Sequence, residues 1–208
     1  RALEVLRDRA GLLATTDAPD IEDARARLVE TTQRLLDARP SMTALANRVH
    51  RVMHESLPDP TATTIEKAAH DAIGRALDAD AETSRHAAEQ IADQRVLTLS
   101  CSGTVLYALM QADPAPSVVV ATSEPGGEGV GVAEALADAD LDVTVIPDAA
   151  IATTLGSGTI DAVLVGADTV RPSGTVVNKV GTRSAALAAR REDVPFYAAC
   201  AVDKVSVD

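Results

Sequence analysis

The residues best suited to chemistry in this chain follow short apolar runs directly. Ser100-Cys101-Ser102-Gly103-Thr104 places three hydroxyls and a thiol where a helix is expected to begin. Free backbone N–H groups and the positive end of a helix dipole would suit a phosphate there. Small polar residues before a helix are also ordinary caps, and the sequence leaves both readings open. Thr122-Ser123-Glu124-Pro125-Gly126-Gly127-Glu128-Gly129 is a mobile, glycine-rich loop before another helix, so its backbone can approach a ligand closely. Asp148, after Pro147, reads as a helix N-cap. The run Val165-Gly166-Ala167 ends on Asp168, and Asn178-Lys179 follow ten residues later. A carboxylate, an amide and an ammonium converging at one point can move protons and hold a phosphate or a hydroxylated ligand. An exposed Asp–Lys pair is the plainer reading and contributes little. Lysine occurs only at Lys67, Lys179 and Lys204, and the last two fall in expected strand-end loops. A compact ammonium suits phosphate.

These residues matter only if the elements around them form an open sheet, because ligands bind such sheets at the carboxyl ends of their strands. From Asp93 onward, β-branched runs (VLTLS, SVVVAT, DVTVI, DAVLVG, PFYAACAV) alternate with helical segments (TVLYALMQA, GVGVAEALADAD, AAIATTL, GTRSAALAARRED). That alternation predicts βαβ units and a mostly parallel sheet. RPSGTV, residues 171–176, predicts a tight turn between two short strands. Before Asp93, apolar residues recur every three or four positions in LEVLRDRAGLL, ARARLVETTQRLL and LANRVHRVM, which predicts helices. Starts are expected at Asp20, at Arg39 to Ser41 and in Leu57 to Thr64, the last opening a long helix over 64–93 with Gly74 as its weak point. The expected fold is α/β: a helical domain over 1–93, then a Rossmann-like domain over 94–208.

Composition narrows the function. A formal charge of -12 repels nucleic-acid phosphates, and 1% aromatic content leaves few platforms for stacking bases, so direct nucleic-acid binding is disfavoured. No apolar run approaches the roughly 20 residues of a membrane-spanning helix, so the expected location is the cytoplasm. Cys101 and Cys200 form no CxxC pair and have no ligand spacing, which argues against a disulfide scaffold or a metal site. The first strand lacks GxGxxG, which removes support for a nicotinamide or flavin cofactor; no cofactor is expected. An acidic surface with arginine in place of most lysine fits a halophile, since the Debye length at about 1 M salt falls to roughly 3 Å. The chain starts without Met, and both ends are expected to be cut from something longer.

The stretch VLVGADTVRPSGTVVNKVGTRSAALAARREDVPFYAACAVDK resembles the Gly-Ala-Asp, Asn-Lys-x-Gly-Thr and Val-Pro-Phe-Tyr run of one superfamily. That superfamily unites the regulatory subunits of translation initiation factor 2B with the ribose-1,5-bisphosphate and methylthioribose-1-phosphate isomerases. ARPSMTALANRVHRVM, VLTLSCSGTVLYAL and ATSEPGGEGVGVAEALADADLDVTVIPDAA resemble its upstream segments, so the likeness covers about Arg39 to Lys204. It implies a helical N-terminal domain, a Rossmann-like C-terminal domain, and a homodimer or larger assembly built through the C-terminal half.

The resemblance carries two functions. In the isomerases a Cys of the first loop and the Asp of Gly-Ala-Asp move the proton as an aldose becomes a ketose; that Asp matches Asp168. Cys101 is the available thiol, but laying Thr98 on the isomerases' Thr-His-Cys-Asn puts Leu99 on the His, Ser100 on the Cys and Cys101 on the Asn. Glu124 stands where the family has an Arg, and the isomerases' Arg-Gly-Ala segment would lie before Arg1. In the initiation-factor subunits the pocket senses a phosphorylated sugar or nucleotide. Ser100, Ser102, Gly103, Thr104, Asn178, Lys179 and Lys204 are the expected ligand-binding residues under either function. A third reading of Cys101 is a buried structural thiol. Ser100, Leu99 and Glu124 favour a binding and assembly protein; Asp168, Asn178 and Lys179 keep the isomerase in play.

Overall fold

The five β-branched runs form five parallel strands. The computed structural model describes residues 2–15, 21–38, 42–56 and 61–206. Its packing divides the chain into two units, Arg1–Ala79 with Thr169–Thr175 and Ala201–Asp208, and Asp80–Asp168 with Val176–Cys200. The division falls within one helix, and the helical unit takes in two later segments.

The helical unit contains α1 (Ala2–Thr15), α2 (Ile21–Ala38), α3 (Thr43–Glu55) and the first part of α4 (Ala62–Ile91). The apolar periodicity that predicts these helices builds their shared core: Leu6, Leu28, Val52, Ile65 and Ala69 are almost fully buried together. Asp20, Arg39 to Ser41 and Leu57 to Pro60 lie outside the described residues. Within them, Thr61 and Thr64 cap α4 reciprocally: the Thr64 N–H donates to Thr61 Oγ1 at 3.2 Å and the Thr61 N–H to Thr64 Oγ1 at 3.0 Å. Gly74 leaves α4 unbroken. Asn47 of α3 donates to the backbone oxygens of Asp203 (2.8 Å) and Val205 (2.9 Å), and Arg48 Nε donates to the Asp203 carboxylate at 2.8 Å. Thr43 shares a 2.8 Å hydroxyl contact with Thr169.

The second unit is a doubly wound sheet of β1 (Arg95–Leu99), β2 (Ser117–Ala121), β3 (Val143–Ile146), β4 (Ala162–Gly166) and, after two short strands, β7 (Phe196–Ala199). Their order is β3-β2-β1-β4-β7, every pairing parallel. One level of the sheet runs Thr144, Val119, Leu97, Val163, Phe196. Alternate residues face opposite layers. Val96, Val118, Val120 and Leu164 pack with Ile91 of α4, α5 (Gly103–Gln111) and α6 (Glu128–Asp138); Leu97, Val119, Val163 and Val165 pack with α7 (Ile151–Leu155) and α8 (Thr182–Arg191). Of the short strands, β6 (Val176–Val177) belongs to this unit, while β5 (Thr169–Val170) and the expected turn, closed by Arg171 N donating to Thr175 O at 2.9 Å, belong to the helical unit.

The chain leaves β1 for β2 and β3 on one side and places β4 and β7 on the other. The strand order therefore reverses beside β1, the point at which doubly wound sheets hold their ligands in a crevice at the carboxyl ends.

Candidate functional site

The loops at that crevice are bonded to one another. Ser100 ends β1 with a left-handed φ of 63°, and Ser123, after β2, has one of 65°. Such values are uncommon away from glycine, and they cluster at functional loops. Here cross-loop bonds hold them: Ser100 N donates to Ser123 Oγ at 2.6 Å, and Ser123 Oγ donates to Ala121 O at 3.1 Å. Asp148, after β3, accepts from Ser123 N at 2.8 Å and from Glu124 N at 2.7 Å. This corrects the reading of Asp148 as a cap. Its carboxylate turns to the neighbouring loop, while Pro147 stands at the cap of the short 3-10 turn Asp148–Ala150 and makes no side-chain bond there.

Ser102 is a true cap of α5, its Oγ accepting from Val105 N at 3.4 Å. It also borders the end of β4, since a Cβ on Gly166 would come within 2.6 Å of Ser102 Oγ. Gly103 opens α5, and Thr104 is buried beneath it, its backbone oxygen accepting from Ser84 Oγ at 3.0 Å. Thr104 thus supports the loop from below. Cys101 is exposed, which rules out the buried structural thiol. Ser100 also leaves the strand conformation, so strand alternation does not carry through to Cys101.

Asp168 is exposed, and its backbone N–H donates to Val177 O at 2.9 Å. Asn178 Nδ2 donates to Thr182 Oγ1 at 3.0 Å, fixing the amide against the first residue of α8. Gly181, with φ of 100°, turns the chain into α8 in a conformation side chains seldom adopt, and a Cβ there would lie 3.7 Å from Leu99. The α8 N-terminus therefore sits beside the end of β1.

Lys179 is already paired in the resting site. Its Nζ forms an ion pair with Glu128 Oε1 from the first turn of α6, the side chains being 40% and 33% exposed. The bond from Lys179, then the carboxylate's contact with its own backbone N–H, holds Glu128 below the ordinary carboxylate range. The other oxygen, Oε2, is buried and has no partner among the described residues. The close seat of α6 on β2 depends on Gly129, where a Cβ would fall 1.9 Å from Ala121 O. Lys204 ends the 3-10 turn Val202–Lys204, which belongs to the helical unit.

Of the expected site residues, the structure brings Ser100, Cys101, Ser102, Gly103, Asp168, Asn178 and Lys179 to the carboxyl edge of the sheet. Sequence reasoning missed Glu128, Ser123 and Thr182, which hold Lys179, Ser100 and Asn178. Glu128 had a visible signal, a carboxylate opening a helix after a glycine-rich loop. The pairing of the two, 51 residues apart, had none.

The sequence model of the initiation factor 2 subunit family matches residues 1–208. The chain belongs to this family. Ribose 1,5-bisphosphate isomerase of Haloferax volcanii is 30% identical over 195 residues, covering 88% of this chain and 58% of that protein. Methylthioribose-1-phosphate isomerase of Gemmatimonas aurantiaca is 32% identical over 201 residues, covering 85% of this chain and 56% of that protein. The crystal structure of translation initiation factor eIF-2B from Pyrococcus horikoshii OT3 superposes with a TM-score of 0.84 at 26% identity, covering 98% of this chain and 71% of that one. The chain spans less than two thirds of the length of the two isomerases. The family's architecture, helices followed by a largely parallel sheet, is the one seen here.

Proposed function

We propose that this family member binds a phosphorylated sugar or nucleotide at the carboxyl edge of its sheet and acts as a regulatory, assembling subunit rather than as a catalyst. One observation carries the reading. Ser100, which the resemblance lays on the isomerases' catalytic cysteine, is locked in a left-handed turn by its bond to Ser123, so a weakly acidic hydroxyl occupies the place of the thiol. A serine hydroxyl needs an adjacent base to ionise, and no side chain bonds to that of Ser100 among the described residues. Lys179 and Asn178 remain suited to phosphate and hydroxyls. Halophilic archaeal origin, a cytoplasmic location and a homodimer or larger assembly complete the proposal, supported by the acidic, lysine-poor composition and by a relative from Haloferax volcanii.

The aldose–ketose isomerase is the second reading, favoured by Cys101 and Asp168 both being exposed rather than committed to the core. In that case Asp168 and Cys101 would pass the proton between adjacent sugar carbons while the loop over 102–104, Asn178 and Lys179 hold the phosphate.

An assay of the full-length protein in high salt, with ribose 1,5-bisphosphate and methylthioribose 1-phosphate, separates the two. The binding reading expects no turnover but a ligand-dependent rise in the unfolding midpoint. Turnover abolished by Asp168→Asn would establish the isomerase instead.

A further inference from the structure

The ion pair at the crevice bears on how a ligand reaches Lys179. We infer that Glu128 is an internal counter-ion for Lys179, and that an anionic ligand anchors at this lysine by displacing the Glu128 carboxylate. The inference rests on the binding reading above and adds a residue that sets affinity. Glu128 enters from the glycine-rich loop with its carboxyl group folded back on that loop, so that a Cβ on Gly126 would meet it at 2.6 Å. From there Oε1 reaches Lys179 Nζ. A carboxylate oxygen thus sits where a phosphate oxygen would sit, against the same ammonium and at the first turn of α6, where negative charge is favoured.

The resting arrangement is also incomplete, because Oε2 finds no donor among the described residues. A buried acceptor left unpaired is costly, so the pair is one that a ligand can improve upon. Both side chains are partly exposed, and the exchange does not require the core to open. The neighbouring carboxylates sharpen the competition. Glu124 is exposed on the same loop, and Asp148 is engaged by the backbone N–H groups of Ser123 and Glu124. A weakly charged ligand gains little at such an edge, whereas a dianionic phosphate offers Lys179 more than one carboxylate oxygen does.

The test is calorimetric titration of the full chain at neutral pH and fixed salt, with inorganic phosphate and ribose 1,5-bisphosphate as probes. Wild type, Glu128→Gln, Lys179→Met and the double variant form a cycle. Glu128→Gln keeps the shape and removes the competing charge, so affinity should rise roughly 1.5-fold to fivefold, the scale of a partly exposed ion pair. That gain should vanish in the Lys179→Met background. Unchanged or weaker binding by Glu128→Gln, or the same gain without Lys179, overturns the inference. Carbon-13 NMR of the Glu128 carboxyl in the wild-type chain gives a readout that needs no altered fold: saturating phosphate should move its resonance, and a resonance that stays fixed overturns displacement. Binding by none of the four proteins overturns the binding reading and this inference together; binding that ignores Glu128 overturns this inference alone.

Discussion

Ser123 joins three loops through one side chain and one backbone N–H. Its hydroxyl accepts from Ser100 N and donates to Ala121 O, its N–H donates to Asp148, and the residue is 4% exposed. Ser123→Ala would leave the Ser100 N–H without its acceptor while keeping a backbone that already tolerates a Cβ. An unpaired, partly buried donor costs about 1–3 kcal/mol. Urea unfolding should show that loss, and it should also weaken any phosphate binding, since Ser100 would lose the bond that holds its turn; unaltered stability would mean that water replaces the hydroxyl. The candidate site was legible to the extent that its residues announce themselves by type and place. Lys179 is one of three lysines, and Asp168 ends an apolar run. What holds them was not legible, because bonds such as Ser100 to Ser123 and Lys179 to Glu128 join residues 23 and 51 positions apart. Asp148 shows the same limit in reverse: a capping residue type in a capping place spends its carboxylate on the neighbouring loop.

Among the elements, the strands were the plainest. Runs such as Ala162–Gly166, buried along their whole length, need both faces covered, and only a parallel sheet flanked by helices offers that. The crossover helices were equally readable, with ends shifted by a residue or two where capping decides: Gly127 and Gly181, both at positive φ, start α6 and α8 without any side-chain cap. The long α4 tests how far propensity governs. Gly74 was its expected weak point, yet the helix runs through it, because residues on either side are anchored by burial: Ile65, Ala69 and Ala72 before, Ala76, Ala88 and Ile91 after. The glycine still carries its entropic cost. It is exposed and a Cβ there would touch nothing within 4 Å. Gly74→Ala should therefore stabilise the chain by roughly 0.5–1 kcal/mol, read as a higher urea midpoint at unchanged slope. A neutral or destabilising result would show that α4 needs flexibility at this point.

At the scale of the whole molecule, charge dominates. Thirty-one acidic residues against nineteen lysines and arginines leave a formal charge of -12 on 208 residues. Local pairing relieves little of it. Lys67–Asp71 and Arg85–Glu89 are exposed pairs one helical turn apart, a geometry that contributes little. The better buried Asp203, with Arg48 and Arg51, is a local fastening within the helical unit rather than a remedy for net charge. Self-repulsion of the compact state therefore remains, and it falls when salt shortens the screening length from about 10 Å at 0.1 M to about 3 Å at 1 M. Raising sodium chloride over that interval should stabilise the chain by about 1–3 kcal/mol, a rise in the unfolding midpoint of roughly 2–10 °C for a protein of this size. Because screening acts through ionic strength, an equal osmolality of sucrose serves as the control for preferential exclusion. A midpoint that follows sucrose as closely as salt would assign the gain to exclusion from the surface. A midpoint flat in salt would mean that the carboxylates lie too far apart to repel, and the acidic composition would then lose its reading as an adaptation to brine.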